Sequence, residues 1–339
     1  MRSRLLLLAT PLALALTACG GPSSDDGSSA DAALDVTAAF YPLQWASERV
    51  GGDLVDVNSL TKPGAEPHDL ELTPKQVGDL ASSDVVVYLA GFQPAVDAAV
   101  QSEAPDAGFD VSPDADLTLV AGPHGHEHET GDDHDHSDDH DHDHDHDHED
   151  SGHDEHSPDE HGAAEGVDPH FWLDPVRFES VVTAVGERFA AADPDHAADY
   201  RANAAEVVTE LKSLDEDFRA GLENCRNDDL VTAHTAFGYL AERYGLTQEG
   251  ITGLSPDVEP DAATLRSLAE YVKEHDVTTI YGETLVSPAL AETLARETGA
   301  TVAVLDPVEG LTDASQGSDY IEVMQHNLTV LEQGQGCGT

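Results

Sequence analysis

Short apolar runs alternate with amphipathic segments through the first part of the chain. One run, Val85–Ala90, is apolar throughout, as is typical of a strand buried on both faces. Thr73, followed by Pro74 and Gln76, has the pattern of a capping box and predicts the start of a helix. Four strands are predicted here, at Leu34–Phe40, Asp53–Leu60, Val85–Ala90 and Leu117–Val120. This alternation predicts a mostly parallel sheet with flanking helices.

The second part of the chain repeats the same alternation of strands and helices. The predicted strands are Leu230–Ala233, Val277–Tyr281 and Thr301–Leu305. The predicted helices are Ala236–Tyr244, Asp261–His275, a helix from Pro288 that is capped by Ser287 and ends near Gly299, and Asp319–Glu332. We therefore expect an α/β fold in both parts of the chain.

A long amphipathic helix is predicted between the two parts. Asp193-Pro194 supplies a cap and a proline at the first position, and no Gly or Pro follows until after Ala220. Apolar residues recur at spacings of three and four up to Leu222. A helix of about 25 residues is nearly 40 Å long. It either links two lobes or lies on the surface of the second one.

The first nineteen residues resemble a lipoprotein signal. Arg2 and Arg4 precede an apolar stretch, Leu5–Leu16, that is too short to span a bilayer, and Leu16-Thr17-Ala18-Cys19 looks like a lipobox. We expect a signal peptide at 1–18, a lipid on Cys19 and a flexible tether at 19–33; an ordinary secretory signal is the alternative. Outside the cytoplasm, Cys225 and Cys337 either pair or stay as two thiols.

The charge of the chain restricts its partners. Asp and Glu number 68 against 15 Lys and Arg, which gives a formal net charge of −53. Such a charge repels nucleic acid and anionic lipid, so we expect no nucleic-acid partner and membrane contact through the lipid anchor alone. Segment 123–161 has almost no apolar residue and carries 13 of the 19 histidines, so we expect it to lack a folded core.

Alternating Asp and His in this segment predict weak, exchangeable metal sites. The histidines that we expect to contribute are His134, His136, His140, His142, His144, His146 and His148. Three interpretations stay open for the insert: a metal buffer or delivery loop, a metal sensor, and a segment without a role.

Three histidines outside the insert lie where a ligand-bearing loop is expected. They are His68 in the turn after a predicted strand, His170 within an Asp-Pro-His-Phe-Trp segment, and His234 at the carboxyl end of a predicted strand. Three neutral imidazoles and a carboxylate suit tetrahedral zinc. Taken singly, each histidine is equally compatible with an ordinary loop residue. A zinc hydrolase would need an open coordination position and a general base, and the chain lacks a His-Glu-x-x-His motif.

The motifs around these histidines resemble the zinc receptors of bacterial ABC importers, a group that also contains manganese receptors. The resemblance rests on Gly-Ala-Glu-Pro-His at 64–68, Asp-Pro-His-Phe-Trp-Leu-Asp-Pro at 168–175 and His-Thr-Ala-Phe-Gly-Tyr at 234–239. It implies two α/β lobes joined by one long rigid helix, with the metal in the cleft between them. It also implies a monomeric extracytoplasmic receptor that hands zinc to a membrane permease, and no enzymatic activity.

The resemblance also implies a ligand set and lobe boundaries. His68, His170 and His234 would be metal ligands, and the fourth would be Glu309, with Asp306 or water as alternatives. Histidine at 234 favours zinc, because manganese receptors have Glu there; a manganese or iron receptor is the alternative, and an adhesin role, known among relatives, stays open. We expect a first lobe at 34–192 with its insert at 123–161, a linking helix at 193–222 and a second lobe at 223–339.

Overall fold

Two four-stranded parallel sheets form the centre of the molecule. The computed structural model describes residues 34–120 and 166–338. In the first sheet the strand order is β2-β1-β3-β4, and in the second it is β6-β5-β7-β8. The strands are β1 Leu34–Ala38, β2 Val55–Ser59, β3 Val85–Tyr88, β4 Gly108–Asp110, β5 Asp229–Thr232, β6 Thr247–Gly250, β7 Thr279–Gly282 and β8 Thr301–Val304. The two-lobed α/β fold is therefore confirmed.

Helices flank both sheets. The longer ones follow or precede strands, as expected for parallel crossover connections. They are α1 Tyr41–Gly51, α2 Pro74–Ser82, α3 Pro94–Glu103, α4 Ser112–Ala115, α5 Pro175–Ala192, α6 Ala197–Gly221, α7 Gly238–Tyr244, α8 Ala262–Glu274, α9 Ala289–Thr298 and α10 Tyr320–Gln335. Short 3₁₀ turns lie at Gly52–Leu54, Phe171–Leu173 and Pro194–His196. Among the described residues, no helix has both the length and the hydrophobicity of a membrane span.

The capping box at the start of α2 is confirmed. The Thr73 hydroxyl accepts a hydrogen bond from the Gln76 backbone N–H, and the Gln76 side chain accepts one from the Thr73 backbone N–H. The Gln76 amide also donates to the Leu60 carbonyl, 2.7 Å away. This last contact ties the start of α2 to the end of the β2 region, so it fixes both ends of the loop that carries His68.

One predicted strand is wrong, and two strands were not predicted. Leu117–Val120 contributes a single antiparallel bridge, from Val120 to Val167, because this segment pairs with a residue that follows the insert in sequence instead of with the sheet. The fourth strand of the first sheet is β4, whose three half-buried residues have no apolar run. Strand β6 has the polar sequence Thr-Gln-Glu-Gly and is held by backbone pairing with β5.

The long helix α6 joins the lobes. It has 25 residues and begins three residues later than predicted, because Pro194–His196 forms a 3₁₀ turn first. It packs against α1 and α5, which belong to the first lobe, and against α10, which belongs to the second. Its buried face consists of Tyr200, Ala204, Val207, Leu211, Leu214 and Phe218. We propose lobe boundaries at 192/193 and 222/223, in line with the sequence.

Polar contacts as well as apolar packing connect the lobes. Asp174 caps α5, and its buried carboxylate accepts two hydrogen bonds, of 2.9 and 2.7 Å, from the guanidinium of Arg243 on α7. The Trp172 indole N–H donates to the Pro307 carbonyl at 2.8 Å, and the Tyr320 hydroxyl donates to the Trp172 carbonyl. These buried contacts hold the 168–175 segment against the second lobe.

A disulfide closes the second lobe. The structure joins Cys225, which follows α6, to Cys337, which follows α10, across a separation of 112 residues. Cys225 lies shortly before the amino end of β5. The backbone N–H groups of Arg226 and Asn227 donate to the Gln335 carbonyl, and these hydrogen bonds hold the end of α10, with Cys337, beside the same end of the strand. The bond is therefore at the opposite end of β5 from His234.

Candidate metal centre

Four side chains from four separate loops meet between the two sheets. His68 lies between β2 and α2, and His170 immediately precedes the Phe171–Leu173 turn. His234 follows β5, and Glu309 follows β8. Three of these loops leave the carboxyl ends of parallel strands, where ligands gather in open α/β sheets. Residues up to 241 positions apart in sequence are thereby brought into contact.

The ligand-type atoms of this group lie close enough together to hold one metal ion. The Glu309 Oε1 atom lies 3.3 Å from His68 Nε2, 3.1 Å from His170 Nε2 and 3.3 Å from His234 Nε2. His170 Nε2 lies 3.3 Å from His68 Nε2 and 3.4 Å from His234 Nε2. Bonds of about 2.0–2.1 Å to a tetrahedral ion place its ligands about 3.3–3.4 Å apart. Five of the six pairs of atoms therefore have about the separation that one small tetrahedral cation requires, and all four atoms lie within 4.8 Å of one another.

Two buried carboxylates orient two of the imidazoles. Asp168 Oδ1 accepts hydrogen bonds from Nδ1 of His170 at 2.8 Å and from its backbone N–H at 2.9 Å. Glu283 accepts from Nδ1 of His234 at 2.7 Å and from its backbone N–H at 2.9 Å. With the proton on Nδ1, each Nε2 lone pair is free to face the centre.

These two carboxylates are the functional residues that the sequence interpretation missed. Asp168 stands two positions before His170 in the recognised motif, so a signal for it was present. Glu283 follows β7 with no such signal. Gly238 permits the arrangement, because a Cβ atom at this position would lie 2.6 Å from Asp168 Oδ2.

The carboxylates and imidazoles of the group shift one another's pKa values. Burial opposes protonation of His234, but Glu283 and Glu309 outweigh it and hold the pKa of His234 well above its ordinary value. Burial is likewise outweighed at His170, whose pKa is raised by Asp168 and Glu309. Burial lowers the pKa of His68. Burial also opposes ionisation of Glu309, yet hydrogen bonds from the three imidazoles hold its pKa well below the usual range.

The structure brings Glu309, and not Asp306, to the three histidines. Asp306 accepts hydrogen bonds from the Val308 backbone N–H at 2.9 Å and from the Ser315 hydroxyl at 2.8 Å, so its carboxylate is engaged within its own loop. Val308 has φ of 57°, a left-handed conformation that is costly for a β-branched residue. This strained turn, held by Trp172 through the Pro307 carbonyl, directs Glu309 into the centre.

Several residues named from the sequence lie outside the described part of the chain. They are the signal at 1–18, the lipidation candidate Cys19 with the tether at 19–33, and the insert at 123–161 with the histidines at 134, 136, 140, 142, 144, 146 and 148. Their expected roles stay predictions.

Comparison with known families identifies relatives of this chain. A profile described as zinc-uptake complex component A, periplasmic (ZnuA) matches residues 36–334. The zinc-binding protein AdcA of Streptococcus pyogenes serotype M3 is 36% identical over 306 residues, which cover 89% of this chain and 56% of AdcA. The chain thus spans little more than half the length of that relative.

Two further similarities cover most of this chain. The high-affinity zinc uptake system protein ZnuA of Bacillus subtilis is 36% identical over 325 residues, or 94% of this chain and 93% of the relative. The crystal structure of Zn(II)-bound AdcA from Streptococcus pneumoniae superposes with a TM-score of 0.67 at 32% identity, over 90% of this chain and 58% of AdcA.

Proposed function

The chain belongs to the family of periplasmic zinc-uptake complex components A, and from this premise we propose that it captures Zn²⁺ outside the cytoplasm and delivers it to an ABC importer. The observation that carries the proposal is the group of three Nε2 atoms and Glu309 Oε1, in which five of the six distances are 3.1–3.4 Å. Zinc is the metal that such a donor set prefers, whereas manganese favours more oxygen ligands.

A receptor needs tight, reversible capture and no reaction. His68, His170, His234 and Glu309 would occupy all four positions of a tetrahedral ion, and this leaves no place for an activated water. A family defined by zinc uptake also disfavours the hydrolase alternative. We therefore propose a receptor, with a manganese or iron receptor as the less favoured variant.

The location and partners are proposed from the same premise. The lipobox-like Leu16-Thr17-Ala18-Cys19 supports a lipoprotein that is anchored to the cell membrane, and the membrane permease of the importer is its proposed partner. We propose that the receptor acts as a monomer, and that the His-rich insert at 123–161 buffers zinc or delivers it to the centre. Support for the last point is the alternation of Asp and His, which offers many weak, exchangeable sites.

A competitive zinc titration tests the assignment of the transport site. The chain without residues 1–19 is titrated against a strong chelator, with and without segment 123–161. We expect one tight zinc ion per chain in both proteins, because the four proposed ligands lie outside the insert. Loss of all tight binding on deletion of the insert would show that the insert is the principal metal site.

Zinc affinity is expected to weaken with falling pH from a point above 6.5. The pKa values of His170 and His234 are raised. In the metal-free protein both imidazoles therefore keep their extra proton at pH values above the ordinary histidine pKa, and zinc must displace these protons. Each displaced proton lowers affinity about tenfold per pH unit below its pKa. Glu309 stays ionised throughout, and His68 competes only at lower pH.

The slope of affinity against pH checks this expectation. Titrations between about pH 5.5 and pH 8 should show a limiting slope near two protons per zinc ion, starting above 6.5. A slope that begins only below 6.5 would mean that Asp168 and Glu283 do not raise the histidine pKa values. Histidines with an ordinary pKa would place the onset at about 6.5, and the raised pKa values of His170 and His234 move it upward.

A further inference from the structure

The metal group is shielded on most sides and is approached past His68. The side chains of His170, His234 and Glu309 are 0–1% exposed, whereas that of His68 is 10% exposed. A cavity of about 290 Å³ opens beside His68 between the lobes. The side chain of the neighbouring Glu66 is more exposed than that of His68, at 19%. His68, which lines this cavity, and Glu66 beside it are therefore more open to solvent than the other three proposed ligands.

One carboxyl oxygen of Glu66 has no hydrogen-bond partner among the described residues. Its Oε1 atom accepts a hydrogen bond from the His68 backbone N–H at 3.1 Å and lies 3.9 Å from His68 Nε2. Its Oε2 atom is buried and, within the described residues, makes no hydrogen bond. A buried carboxylate oxygen without a donor is costly unless something binds to it. The hydrogen bond to the His68 backbone explains the position of Oε1 but gives no reason for burying Oε2.

Acidic side chains of both lobes continue outward from Glu66. Asp257, in the loop after β6, lies near Asp69 of the first lobe, which raises the pKa of Asp257, and the charge of Asp257 also acts on Glu66. Such a series of acidic groups in a cleft raises the local concentration of cations. The series leads from the surface to Glu66 and from there to His68.

We propose that Glu66 is an entry ligand, which together with His68 binds the incoming Zn²⁺ before the ion moves on to His170, His234 and Glu309. Glu66 Oε1 and His68 Nε2, 3.9 Å apart, can bind one ion with bonds of about 2.0–2.2 Å at a wide angle, and Oε2 of the same carboxyl group offers a further acceptor. Glu66 lies outside the group whose ligand atoms are all within 4.8 Å of one another, so it is not part of the final coordination. The inference rests on the proposed function and assigns the path by which the same site fills and empties.

The variant Glu66→Gln tests this role through the kinetics of zinc exchange. Glutamine keeps a carbonyl oxygen for the His68 N–H but replaces the second oxygen with an NH₂ group, which cannot bind a cation. A ligand that acts only in the intermediate lowers the barrier equally in both directions, so we expect association and dissociation each to slow by about tenfold, with Kd changed much less. Association is followed by stopped flow against a fluorescent zinc chelator, and dissociation by a chelator chase, in the chain with its insert intact.

Two controls separate this role from the alternatives. Glu71→Gln removes one charge at a nearby exposed position and should leave the dissociation rate unchanged. Glu66→Asp, which keeps a carboxylate, should restore part of both rates, and urea unfolding of each metal-free variant reports on the fold. If Glu66→Gln slows association but speeds dissociation, or alters neither rate, the entry role is overturned. If the unsubstituted chain binds no tight zinc, the proposed function itself fails.

Discussion

His170→Ala is expected to weaken zinc binding by about 10²- to 10³-fold. Four-ligand zinc sites release about 10–16 kcal/mol on binding, so one ligand accounts for about 3–4 kcal/mol if the ligands share equally. His170 is fully buried, and its Nε2 atom lies within 3.4 Å of three other ligand atoms. Solvent cannot easily replace it, so the loss should lie at the upper end of this range. Competition against chelators of graded affinity measures the change.

A matched histidine elsewhere provides the control for this variant. His326 on α10 lies outside the four-residue group, and His326→Ala should leave zinc affinity within about threefold of the unsubstituted chain. The urea midpoint of metal-free His170→Ala reports any loss of folding that comes from the buried site. An unchanged Kd for His170→Ala in a folded protein would contradict the assignment of His170 as a ligand.

The contacts between the lobes bear on how the ion leaves. Asp174 and Arg243, together with the Trp172–Pro307 hydrogen bond, fix the segment that carries His170 to the second lobe. Large separation of the lobes would take Arg243 away from the buried Asp174 carboxylate and would break the buried Trp172–Pro307 hydrogen bond, so it would be costly. His68 lies outside these contacts, in a loop at the open side of the group. Release is therefore expected to begin with displacement of the His68 loop and not with hinge bending along α6.

The three histidines of the proposed metal site could be named from the sequence because they stand in recognisable motifs. Their contact could not be derived from spacing, since His68 and Glu309 are 241 positions apart and meet only after both sheets have formed. Glu283 had no signal, because 68 acidic residues make one Glu after a strand unremarkable in sequence. The choice of Glu309 over Asp306 depends on the turn at Val308, and a left-handed valine is not predictable from local preferences.

The fold shows the same division between local and tertiary causes. The capping box at Thr73 and the apolar spacing of α6 are local signals, and both elements formed where they were predicted or within three residues. Strand β6 has no apolar residue and exists because its backbone pairs with β5. Helix α5 was not predicted although Asp174 and Pro175 supply a cap and a proline at the first position, so there a local signal was available.

Removal of the Cys225–Cys337 bond is expected to lower the free energy of unfolding by about 4–5 kcal/mol. The bond closes a loop of 112 residues, and in the chain-entropy model a loop of about this length restricts the unfolded chain by that amount. The double variant Cys225→Ser/Cys337→Ser should therefore unfold at clearly lower urea concentration than the oxidised chain. Chemical reduction of the unsubstituted chain should reproduce the shift.

The same variant should keep its affinity for zinc, which separates stability from function. Cys225 precedes the amino end of β5, whereas His234 follows its carboxyl end, and Glu283 and Glu309 follow the carboxyl ends of β7 and β8. The disulfide thus acts on the unfolded chain and on the far end of the second sheet, without contact to the metal group. A Kd within about threefold of the oxidised chain is expected at temperatures where the variant is folded. Lost zinc affinity in the folded variant would show instead that the α6–α10 junction determines the position of the ligand loops.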